Sequence, residues 1–122
     1  MASMLFDPGR EGILDTTIAM TGDIRVMLVK STYTFVASHK FLVDLGAVDN
    51  GRTTALQNKT YTSGVFDAED ISLTATDAVA SNALIVFLHT GSDATARLIA
   101  YVDTASAGLP FTPSTAQVVY VL

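Results

Sequence analysis

Two runs constrain this chain more than any other feature of it. Residues 24–31 (IRVMLVKS) and 83–89 (ALIVFLH) carry apolar side chains at odd and even positions alike. A strand turns successive side chains to opposite faces. Each run, folded as a strand, therefore has to be covered on both sides. Neither approaches the ~20 apolar residues that a membrane-spanning helix requires. Both are expected to be interior strands of a sheet.

Shorter segments surround them. Ile71, Leu73 and Ala75 alternate with Ser72, Thr74 and Thr76, so one face is buried and the other is rich in threonine. Leu98, Ala100 and Val102 oppose Arg97, Ile99 and Tyr101 within a strand over 96–103, and residues 117–122 form a last strand. Residues 52–56 and 59–66 read as a hairpin with Gln57-Asn58 at its tip. Residues 32–36 extend the first long strand or form a short one of their own. Asp49-Asn50-Gly51 and Gly91-Ser92-Asp93 are turn signals, and 108–113 is a loop punctuated by prolines. Short strands with turn signals roughly every eight to twelve residues predict a mostly-β domain, a sandwich or barrel, spanning 1–122.

One or two short helices complete the expectation. Asp7-Pro8 resembles an N-cap followed by proline at the first helical position, with Ile13, Leu14 and Ile18 on one face. Gly9 and Gly12 weaken that helix. Ser38 is a second candidate cap, followed by Phe41, Leu42 and Leu45, with Gly46 as a stop.

Composition supports a folded, sparsely charged protein. Of 122 residues, 49% are hydrophobic and 16% charged, which is outside the range of disordered chains. The positive mean hydropathy hints at apolar surface covered by a partner. There is no cysteine, hence no disulfide framework and no thiolate metal site. Seven basic against 12 acidic side chains give a net charge of -5, with the cations scattered, which argues against a nucleic-acid binder. The first ten residues lack the basic and apolar regions of a signal peptide, and no membrane partner is expected.

No catalytic constellation, cofactor motif or metal site is expected. Phosphate-cradling glycine loops and nucleophile elbows are missing from the sequence. His39 and His89 are the only histidines and stand far apart; ordinary structural roles are preferred for both. Asp67-Ala68-Glu69-Asp70 is the densest acidic cluster. A cation site is one reading, but the spacing is not that of an EF-hand, and a solvated turn between strands is the simpler one. Asn58-Lys59-Thr60 matches a glycosylation acceptor and is set aside for a protein that is not secreted. The apolar end, Val118 to Leu122, is a core strand or an intersubunit one.

Several stretches resemble a family of small β-rich structural proteins of tailed bacteriophages. They include Pro8-Gly9-Arg10-Glu11-Gly12-Ile13-Leu14, Ile24 to Val29, Tyr33-Thr34-Phe35 with Phe41-Leu42, and Gly64 to Asp70. The run Thr90 to Thr104 and Gly108-Leu109-Pro110 with Thr112-Pro113 continue the likeness in order along most of the chain. The resemblance implies a virion component of the head-decoration or capsid-associated type, made in the host bacterial cytoplasm. Its partner would be the major capsid protein or another virion protein, and it would form a homo-oligomer. Neck, tail or fibre-attachment roles are the alternative within that class; a glycan-binding β-sandwich module lies outside it, and a small hydrolase is the remotest reading. The two apolar chain ends are the expected contact elements: Leu5, Phe6, Pro8 and Arg10 at one, and Val119, Tyr120, Val121 and Leu122 at the other. Family members often continue into a tryptophan-containing segment; this chain has no tryptophan.

Overall fold

The computed structural model describes residues 4–69, 71–76 and 78–102 and the strand 118–121; the side chains of 82 and 118–121 are not described. The elements are β1 (Met4–Leu5), α1 (Asp7–Leu14), β2 (Ile24–Lys30), β3 (Asp49–Arg52), β4 (Ile71–Thr74), β5 (Ser81–Leu88), β6 (Arg97–Val102) and β7 (Val118–Val121). Two 3-10 turns, Leu42–Leu45 and Thr62–Gly64, lie in the connections. The fold is mostly β. Five strands form one antiparallel sheet in the order β1-β6-β5-β2-β3, and β4 pairs with β7 outside it. The sheet does not close into a barrel, so that half of the expectation is corrected: β1 and β3 are its two ends. Among the described residues no helix is long and apolar enough to cross a membrane.

The two apolar runs become β2 and β5, adjacent and in the middle of the sheet. Their side chains divide between two cores. Met27, Val29, Ala83, Ile85 and Phe87 face one side, where Phe6, Tyr33, Leu42, Leu45 and Val48 cover them. Ile24 and Val26 face the other, with Val86 and Leu88, under Ile18, Leu56 and the half-buried Phe66 and Ile71. Leu28 on that side meets Leu73 and Ala75 of the β4 segment. The alternation read over 71–76 holds: Leu73 and Ala75 are buried, while Ser72, Thr74 and Thr76 are exposed.

The alternation read over β6 does not hold throughout. Val86 pairs with Ala100 but Phe87 pairs with Leu98, so Ile99 is an extra residue on β6. Beyond this bulge the faces swap by one position. Leu98 and Tyr101 therefore share one core, and Ile99 and Ala100 share the other.

Other expectations are corrected locally. Asp49-Asn50-Gly51 is not a free turn; it belongs to β3 and pairs with β2. Gly51 has φ +120°, and a Cβ there would lie 2.3 Å from the Thr74 carbonyl oxygen, so glycine serves a close backbone approach. Buried Asn50 donates from Nδ2 to Ser81 Oγ at 2.8 Å. The reversal expected at Gln57-Asn58 falls instead at Thr62–Gly64, between the bridged Thr60 and Asp67, where Ser63 and Gly64 take positive φ. Residues 32–36 form no strand. The second helix is only the 3-10 turn after Phe41, and Asp44 caps it, accepting from the Lys40 and Phe41 amides at 3.0 Å each. The last strand is seen over 118–121; 117, 122 and the loop 108–113 lie outside the described residues.

Candidate interaction surface

The N-terminal segment is held down rather than loose. β1 pairs with β6 through Met4–Tyr101 and Leu5–Ala100, and the Phe6 amide donates to the Ile99 carbonyl at 3.1 Å. Phe6 is 0% exposed and its ring lies 5.1 Å from that of Phe35, which in turn meets Tyr101. It is a core residue, and the expectation of Phe6 as an outward contact is corrected. Burying a phenyl side chain is worth roughly 1.5–3 kcal/mol, which holds Phe6 in the core.

Helix α1 follows at once, and its faces are inverted relative to an ordinary amphipathic helix. The buried positions are Gly9 and Gly12, three residues apart and so on one face. A Cβ on Gly9 would sit 2.7 and 2.8 Å from the carbonyl oxygens of Ile99 and Leu98. A Cβ on Gly12 would strike the Ile18 side chain at 2.5 Å. Gly9, which weakens the helix in isolation, lets it lie directly on the backbone of β6, and Gly12 leaves room for the Ile18 and Arg97 side chains. The helix ends at Leu14, so Ile13, Leu14 and Ile18 do not share a face: Ile18 enters the core and Leu14 is 85% exposed. Ile13, Leu5 and Met4 are also exposed. The cap expected at Asp7 lies one residue earlier, at Phe6, without a side-chain cap, and Asp7 stands in the first turn, where a negative charge suits the helix dipole.

The remaining N-terminal candidates take separate roles. Pro8 is half-buried, and its carbonyl accepts from Nη2 of Arg97 at 2.8 Å. Arg97 is itself buried, beneath α1 and over the ring of Phe41 at 5.9 Å, and so ties the helix to β6. Arg10 is exposed, pairs with Asp7 and donates from Nη1 to the Leu5 carbonyl at 3.3 Å. Asp15, just past the helix, is held below the usual carboxylate range, first by the Thr17 hydroxyl and amide and more weakly by the charges of Arg97 and Lys40. At the other end, β7 pairs with β4 from Thr74–Val118 to Ile71–Val121, which includes Val119 and Tyr120. Their side chains and Leu122 lie outside the described residues.

Residues weighed for chemistry are dispersed. His39 bonds through Nδ1 to the Tyr33 hydroxyl at 3.0 Å, and the His89 amide donates to the Asp23 carbonyl at 2.8 Å. Burial pushes the Tyr33 phenol up. Glu69 accepts from Asn58 at 2.5 Å, Asp67 bonds the next amide, and Asp70 is outside the described residues. Among the described residues, no group of three or more histidine or carboxylate side chains is placed to hold a metal ion. The helix is legible in the sequence but its inversion is not, because glycine reads as a helix breaker in a one-dimensional pattern. The usable signal was the three-residue spacing of Gly9 and Gly12 beside Ile13-Leu14. The chain matches no family model, no curated protein and no solved structure.

Proposed function

We propose that this chain is a structural component of a tailed-bacteriophage particle, a head-decoration (cement) protein that binds the assembled shell and works by binding rather than catalysis. The ordered resemblance along most of the sequence supports the phage assignment. The observation that carries the binding role is α1, which buries its glycines and leaves Ile13 and Leu14 exposed at its C-terminal end. Exposed apolar side chains on a firmly anchored helix gain when a partner covers them. We read the β4–β7 pair, packed over one face of the main sheet, as the second layer of an incomplete sandwich.

The mechanism is linkage. A protein that binds only the assembled shell stabilises that state by mass action, with no covalent step. Symmetric shells present many equivalent sites, which favours a homo-oligomer. The major capsid protein is the partner in this reading, and the virion is its location.

The test is particle binding by purified protein, with Leu14→Asp beside the wild type. Leu14→Asp is expected to leave thermal stability within about 0.5 kcal/mol, as for an exposed site, and to abolish co-sedimentation with shells. Retained co-sedimentation removes α1 from the contact. A copy number per particle of about a dozen or fewer, as symmetric rings give, assigns the protein to the neck or tail instead.

A further inference from the structure

A second surface lies on the sheet face that looks toward β4. A cleft of about 290 Å³ opens there, with Val26 and Val86 on the sheet side and Phe66 and Ile71 opposite. Ten of the described residues line it; eight are apolar, two are the carboxylates Asp67 and Glu69, and none of the ten is basic. The carboxylates stand on a fixed frame. The Thr60 and Asp67 backbones exchange hydrogen bonds of 2.8 and 3.0 Å, and the Glu69 amide donates to the Gln57 carbonyl at 2.9 Å. Asn58 takes one oxygen of Glu69, and the Ala68 amide takes one oxygen of Asp67. The other oxygen of each carboxylate has no bond of its own among the described residues.

We infer that this cleft receives a partner segment in which an aliphatic side chain is flanked by lysine or arginine. The apolar lining gains from covering an aliphatic group. Two carboxylates at one rim attract a cation and repel an anion, so charge selects the sequence around the aliphatic anchor. The size suits a side chain with its neighbouring backbone. The inference rests on the reading of the chain as an assembly partner, and it adds a contact remote in kind from α1.

The experiment is a methyl and amide NMR titration of the full chain with acetyl-Lys-Leu-Lys-amide, with acetyl-Glu-Leu-Glu-amide as the control. Saturable shifts at the methyls of Val26, Leu56, Leu84 and Val86 with the lysine peptide alone are the expected result. The double substitution Asp67→Asn with Glu69→Gln keeps both hydrogen-bond acceptors and is expected to weaken the lysine peptide at least about fivefold, as loss of rim charge does. Absence of saturable shifts, equal response to the two peptides, or contacts showing the cleft filled by this chain's own residues each overturns the inference. Shell binding by the wild type is scored separately. Shell binding without a peptide response sinks only the cleft, and a peptide response without shell binding sinks only the decoration role.

Discussion

At the scale of single residues, the decisive positions are those where a side chain is missing. Gly9 lies against two backbone oxygens that no rotamer change will move. Gly9→Ala raises intrinsic helix propensity by about 1 kcal/mol. Overpacking against backbone costs about 1–3 kcal/mol and wins. Chemical denaturation is expected to show a net loss of up to about 2 kcal/mol, and an increase would mean that α1 stands off the sheet. Phe6 makes the complementary point. Its neighbours Leu5 and Asp7 are exposed, so only its own burial separates it from a surface residue. Phe6→Ala is expected to cost about 3–5 kcal/mol in the same measurement.

At the scale of elements, Arg52 fastens β3 to the turn before β6. It forms a two-pronged pair with Asp93, at 2.8 Å for each bond, bonds Asp49 at 2.5 Å, and lies over the Phe87 ring. Arg52 holds the Asp93 carboxyl below the usual range, and the Phe41 and Lys40 amides do the same for Asp44. A carboxyl whose folded value lies below its unfolded one stabilises above the unfolded value, and that contribution is lost as pH falls through the folded one. Both contributions are therefore complete at neutral pH and decline once pH drops below about 3.8, the unshifted value. Asp93 is half exposed, so its share stays under about 1 kcal/mol. Melting temperatures followed from pH 6 to pH 2 are expected to converge for wild type and Asp93→Asn at the acid end. Parallel curves would show that the pair does not stabilise β3.

The whole molecule is a sheet with apolar cover on both faces and α1 laid on β6. This arrangement separates stability from surface. Ile85, fully buried on the central strand β5, and Leu14, the most exposed large apolar side chain described, have similar hydrophobicity. Ile85→Ala is expected to lose about 2–5 kcal/mol, whereas Leu14→Ala should change stability by no more than about 0.5 kcal/mol. Comparable losses at both sites would mean that Leu14 is covered within the free protein. That outcome would withdraw the helix as an interaction surface.

Local pattern is enough to place some elements. Two runs without a polar face had to be interior strands, and β2 and β5 are adjacent and covered on both sides. The period-2 segment over 71–76 buried its Leu73 and Ala75 as read, because a half-covered strand has only one way to face. Three things were decided by tertiary contact alone. The bulge at Ile99 depends on which β5 residue each β6 residue meets, and single-strand alternation carries no record of register. The place of Gly51 depends on the Thr74 carbonyl, distant in sequence and touching in space. The inversion of α1 depends on backbone meeting backbone: glycine is the worst helix residue until a neighbouring strand comes so near that no other residue fits.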